Sequence, residues 1–206
     1  MKRLLSLCLL VAAMALGGTG CAKSGSSSSP TPVPSGPPAR WAGTALYTHL
    51  FDTNVSTSTQ TFNITVTWAK DPNPNPAPPA GGARYLATGG VHVSWRQRVD
   101  IGRCTMEGDG DYPLPAANPT ADPESQILVL GPDGHYQGAL HAMINLGFLQ
   151  LCANGPNFSG IEPVELRLDI AGNLDGGRMH GEMPPAVLTT ESLTSRRTGS
   201  WDFTAN

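Results

Sequence analysis

Thr61-Phe62-Asn63-Ile64-Thr65-Val66-Thr67-Trp68 is apolar at every even position and polar at every odd one. Alternation with a period of two puts successive side chains on opposite faces of an extended chain, so this stretch is predicted to be a strand with one buried face. Trp68 falls on that face and is expected in the core. The strand must end at Asp71-Pro72-Asn73-Pro74-Asn75-Pro76-Ala77-Pro78-Pro79. Proline carries no N–H for a ladder, so 71–82 is predicted to be a surface loop.

The same pattern recurs on both sides. Val91, Val93, Trp95, Val99 and Ile101 share one parity, opposite to His92, Ser94, Arg96, Arg98 and Asp100. The apolar phase then shifts to Cys104 and Met106, and Gly102 stands where a β-bulge would produce that shift. Gln126–Leu130 leads into Gly131-Pro132-Asp133-Gly134, good type I turn chemistry, and then into a long strand. Tyr136, Gly138, Leu140, Ala142, Ile144, Leu146 and Phe148 have one parity. Leu140, Ile144, Phe148 and Leu151 also fit a helical face, but Gly147 and the unbroken alternation favour strand. Val164, Leu166, Leu168 and Ile170 are expected to pair with Leu174–Met183 through a turn at Ala171-Gly172-Asn173. Trp41–Phe51 should open the sheet, and Trp201 and Phe203 should close it.

Single-faced antiparallel strands must either close on themselves or meet a second sheet. The expected fold is therefore all-β: one antiparallel domain of about eight or nine strands. It should be either a lipocalin-like up-and-down barrel or a two-sheet sandwich. Composition agrees, with 24 Gly, 19 Pro and only 14% charged residues.

The chain has 206 residues and a formal charge of −3. Lys2, Arg3 and Lys23 precede residue 40, which leaves 10 basic and 16 acidic side chains in 40–206. A mildly acidic domain has no electrostatic reason to seek nucleic acid or anionic headgroups.

The N-terminus reads differently. Met1-Lys2-Arg3 is basic, Leu4–Leu16 is a short apolar run, and Gly17-Gly18-Thr19-Gly20 leads into Cys21. This order describes a secretory signal. With Cys21 after the small residues it resembles the lipobox of bacterial lipoproteins, although Gly18 occupies the position where that family usually has Leu. The resemblance covers residues 1–21 and no family is recognised in 40–206. It implies a signal peptide over 1–20 and acylation of Cys21, palmitate included. It also implies a cell-envelope location anchored in the membrane; Ala22 after the Cys points to the outer membrane. Residues 22–39 hold six Ser and five Pro, with Val33 the one sizeable apolar side chain. Such a segment cannot offset its ordering entropy, so it is expected to be a disordered tether reaching roughly 20–50 Å.

Cys8 and Cys21 belong to the signal region, which leaves Cys104 and Cys152 as one pair in an oxidising compartment. A disulfide between them would close a loop of about 49 residues and contribute about 4 kcal/mol.

No catalytic motif stands out, and no catalytic, cofactor or metal residues are expected. His135 and His141 share parity but lie about 20 Å apart along a strand, too far for joint ligation. His49, His92 and His180 lack ligand-like neighbours in sequence, and surface or loop positions are the ordinary account of all five. Glu107-Gly108-Asp109-Gly110-Asp111 offers three carboxylates of the kind Ca²⁺ takes, without the EF-hand spacing; an acidic hairpin loop is the plainer reading. His92, Arg96 and Arg98 form a basic stripe, and Arg196-Arg197 a second basic pair. Both are expected to pair with acidic side chains on neighbouring strands. Trp95 is expected to be core, like Trp68.

The function expected from all this is an envelope lipoprotein that presents a non-catalytic β-domain for binding or a structural role. Its partners are the membrane, through the lipid, and a protein or small molecule the sequence does not name. A carrier of a small apolar ligand would instead need an internal cavity of about 300 Å³ or more. A hydrolase would need a Ser or carboxylate meeting a His at hydrogen-bond distance in a cleft.

Overall fold

The computed structural model describes residues 36–117 and 125–206. The signal, Cys21 and tether residues 22–35 lie outside them. Among the described residues nine antiparallel strands form a single sheet. They are β1 (Arg40–Thr53), β2 (Ser56–Lys70), β3 (Ala83–Val99), β4 (Cys104–Pro113), β5 (Ile127–Leu130), β6 (His135–Cys152), β7 (Phe158–Asn173), β8 (Arg178–Thr189) and β9 (Leu193–Ala205). The stretch that alternates most cleanly lies in β2, with Phe62, Ile64, Val66 and Trp68 buried. The proline-rich segment leaves the sheet at Asp71 and the chain re-enters it at Ala83. The segment with a rival helical reading is strand throughout, as β6.

The order is β7-β6-β5-β3-β2-β1-β9-β8, with β4 sharing the place of β5. β5 pairs with the start of β3 and β4 with its later part, and both also pair with β6. Two short strands laid end to end thus fill one stave of a rolled sheet. The edges of that sheet are β7 and β8. Among the described residues no ladder joins them, so the roll stays open along one seam.

This corrects the expected pairing of Val164–Ile170 with Leu174–Met183. β7 instead pairs along its whole length with β6, and β8 with β9. The chain turns after β7 at Leu174–Gly177, where Gly176 and Gly177 take positive φ (54° and 82°), rather than at Ala171-Gly172-Asn173. Pro184 and Pro185 sit in β8 at its register shift between Met183 and Ala186. Residues without an N–H belong on an edge, and they leave β8 poorly suited to a second ladder. Side chains bridge the seam instead. Tyr136 Oη on β6 donates to the His180 carbonyl on β8 (2.9 Å) and accepts from Trp201 Nε1 on β9 (3.1 Å). Glycines leave room for these rings: a Cβ at Gly172 would sit 2.6 Å from Tyr136 Oη, and one at Gly181 2.7 Å from the Trp201 ring.

The β-bulge expected at Gly102 is also corrected. Ile101–Arg103 is a single 3-10 turn, and the phase shift marks the β3–β4 hairpin rather than a bulge within one strand. The chain reverses there, so the inward parity is reset by the turn. Cys104 and Cys152 are register partners across β4 and β6 and form the disulfide (S–S 2.08 Å).

The interior is filled by large side chains. Trp41, Trp68, Tyr47, Tyr85, Tyr136, Phe62 and Phe203 are each at most 1% exposed. Fully burying a side chain such as Phe62 or Phe203 stabilises by about 1.5–3 kcal/mol. Trp68 packs edge-on against Phe203 (ring centroids 6.0 Å) and Trp95 against Phe148 (5.4 Å), so both predicted core tryptophans are core. The last residues of the tether are docked on the rolled sheet: the Pro38 carbonyl accepts from Tyr85 Oη (2.9 Å) and the Ala39 carbonyl from the Lys70 N–H (3.0 Å).

Candidate functional site on the outer sheet face

The outward positions of β2 are Thr57, Thr59, Thr61, Asn63, Thr65 and Thr67, and register carries that polar row sideways. Ser200 on β9, Leu46 on β1, Asn63 on β2, His92 on β3 and Asp111 on β4 are direct partners in turn. So are Asp202, Thr44, Thr65 and Gly90. These two rows line an open groove of about 610 Å³ that crosses five strands. Further along the same face, Thr57, Thr59, Thr61, Ser94, Arg96 and Glu107 help line a second groove of about 890 Å³. The two share the β2–β3–β4 surface.

Electrostatics order the β3–β4 side of this face. His92 is bracketed by Asp111 on Nδ1 (3.0 Å) and Asp109 on Nε2 (3.1 Å). A ring that faces an acceptor at each nitrogen is suited by the doubly protonated form. The hydrogen bond to Asp111, helped by the Asp109 charge, raises the His92 pKa above its ordinary value. Ser94 Oγ donates to Asp109 (2.8 Å), and Arg96 pairs with Glu107 (3.2 Å). Arg98 pairs with Asp100 at the turn (3.3 Å). The basic stripe is thus met largely by acids on the neighbouring strand, as its alternation predicts.

The acidic cluster itself is corrected. Glu107, Asp109 and Asp111 lie in strand β4, not in a loop, with outward carboxylates. Gly108 and Gly110 occupy the alternate positions, and a Cβ at Gly108 would lie 2.9 Å from the Leu146 side chain. Acid and glycine alternating with a period of two is itself a strand pattern. Carboxylates spread along a strand and turned toward β3 do not enclose a Ca²⁺ ion. Among the described residues no group of three or more His, Cys, Asp or Glu could hold a metal. His141 pairs with Asp169 (3.0 Å) and His180 with Asp175 (3.3 Å).

His49 departs from the surface reading, being 2% exposed. It shares the inward parity of Trp41, Ala45 and Tyr47, a signal the sequence carried. Arg197, His49, Gln60 and Trp95 are successive register partners facing the interior. His49 Nε2 lies 2.8 Å from Ser195 Oγ and accepts from Arg197 Nε (3.4 Å). Arginine only donates, so Nε2 must accept and the proton sits on Nδ1. Among the described residues Nδ1 is buried without a partner, as are Tyr47 Oη and Gln60 Oε1. No carboxylate therefore accepts from Nδ1, and the Ser195–His49 pair lacks the acid that orients a catalytic histidine. The Arg197 guanidinium also pairs loosely with Glu165 (3.8 Å), while Arg196 points outward.

Burial first, and then the Arg197 cation, push the His49 pKa down to about 4 against the opposing pull of Glu165. A histidine depressed in the fold contributes stability above its unfolded value of about 6.5 and loses it as pH falls toward 4. Between pH 7 and pH 4 this should cost about 3 kcal/mol. Denaturant unfolding at both pH values checks it: His49→Gln should lose correspondingly less than the parent, and equal losses would refute it.

Comparison with family models, with curated proteins and with solved structures finds no match to this chain.

Proposed function

We propose that the protein is a lipid-anchored lipoprotein of the bacterial envelope whose β-domain binds a partner through the outer face of β9-β1-β2-β3-β4. The observation that carries this reading is the pair of open grooves on that face, crossed by rows of hydroxyl, amide and charged side chains. Their volumes of about 610 and 890 Å³ are of the size of small-ligand sites, about 300–1,000 Å³. The signal and Cys21 supply the address. The filled aromatic interior favours presentation at the surface over carriage of an apolar ligand inside. The uncompleted Ser195–His49 pair favours binding over hydrolysis.

The test is a photo-reactive residue placed at Thr61, outward on the face, with one at Arg167 on β7 as the comparison. In the native envelope, cross-linked species are expected from position 61 and not from 167. Equal yields from both positions, or none from 61, would remove the outer face as the binding surface.

A further inference from the structure

The groove side chains differ in how far their hydrogen-bonding capacity is already used. His92, Ser94, Asp109 and Asp111 bond to one another, and Asp202 takes Arg178. Thr44, Asn63, Thr65 and Ser200 bond to no other described side chain and stand together in the two adjacent rows. Each of these groups both donates and accepts, three through a hydroxyl and one through an amide. In the free protein water covers them, and only a ligand that reproduces those bonds displaces it without loss.

Three further features narrow the ligand. Leu46 lies between Ser200 and Asn63 and is 41% exposed, an apolar spot inside a hydroxyl-rich row. Gly90 leaves the floor bare at β3, beside Thr65. The charges that line the groove are paired, and the surrounding domain is acidic, so an anionic ligand gains nothing there. What suits these conditions is uncharged, carries many hydroxyls, and has C–H faces to lay on Leu46.

We infer that this groove binds a neutral oligosaccharide segment lying across the strands. Strands lie about 4.8 Å apart, so the groove from β9 to β4 runs roughly 19 Å, with one strand beneath each ring of an extended glycan. The inference rests on the reading of the outer face as the binding surface, and it names the ligand class. N-acetylated cell-wall-type glycans and unsubstituted polysaccharides share this chemistry.

Calorimetric titration of the detergent-solubilised full-length protein with chitopentaose and with cellopentaose separates the two sources. Binding of at least one is expected. Asn63→Ala should weaken it about tenfold, the loss of roughly one well-placed hydrogen-bonding group. Gly90→Val should abolish it by filling the floor. Both variants should fold: Asn63 is exposed, and a Cβ at Gly90 meets nothing nearer than the Tyr112 carbonyl at 3.5 Å. Melting temperatures near the parent's confirm that. Binding that survives Gly90→Val unchanged would place the glycan elsewhere and overturn the inference. If neither sugar binds while position 61 still cross-links, the glycan falls and the binding face stands; if both fail, both fall.

Discussion

Replacing Cys104 and Cys152 together by Ala is expected to destabilise the domain by about 4 kcal/mol, the chain-entropy value for a loop of this length. The two cysteines are 48 residues apart in sequence and directly opposed in register. Their position adds to the effect. β4 meets β6 only over Cys104–Glu107 against Leu149–Cys152, so the disulfide reinforces a short ladder at the end of both strands. For a domain of this size a loss of that order lowers the melting temperature by roughly 8–16 °C. Thermal unfolding of the double variant, and of the parent under reducing conditions, should show the same drop. A drop of less than about 3 °C in either would mean that the cross-link constrains little that the sheet does not already hold.

Cys21→Ala is expected to move the protein from the membrane fraction to the soluble fraction. On the proposed anchoring, each buried acyl CH₂ contributes about 0.8 kcal/mol, and one chain binds reversibly while two or more hold stably. The domain offers no compensating attraction, since it carries 16 acidic against 10 basic side chains. The same substitution should leave the melting temperature unchanged, because Cys104 and Cys152 are bonded to each other. Mass spectrometry of the parent should find acyl chains on a mature N-terminal Cys21. Equal partitioning of parent and variant would contradict the anchor and the envelope address with it.

Local geometry made much of this architecture legible. Phe62, Ile64, Val66 and Trp68 announce their buried face because a pleated backbone alternates sides whatever its neighbours. The loop over 71–82 is legible because proline cannot enter a ladder. The turn at Gly131–Gly134 likewise separates β5 from β6 where its chemistry requires. The misreadings share a cause. A hairpin between β7 and β8 is reasonable from adjacency, yet β6 takes β7 over its full length and the prolines of β8 stand at an edge. Glu107–Asp111 looks like a loop when acids and glycines are judged by composition, and like a strand when judged by period. His49 shows the same thing: its parity marks it as inward, whereas residue type alone marks it as surface.

The candidate site was legible only as material. The threonines of β2 and the basic stripe of β3 can be read directly, but not that Ser200, Leu46, Asn63, His92 and Asp111 form one row. Those residues come from positions 46 to 200. Most of the strands with their buried faces, the cross-link and the signal-like N-terminus can be read from the chain alone, because each depends on backbone geometry or chemistry within a few residues, or on a single remaining pair of thiols. Which strands are neighbours, where the roll stays open, and which hydroxyls and amides on the outer face are left unspent emerge only with the folded sheet. Register is set by packing over the whole sheet, and a hydrogen-bonding group is free or used according to what that register places beside it.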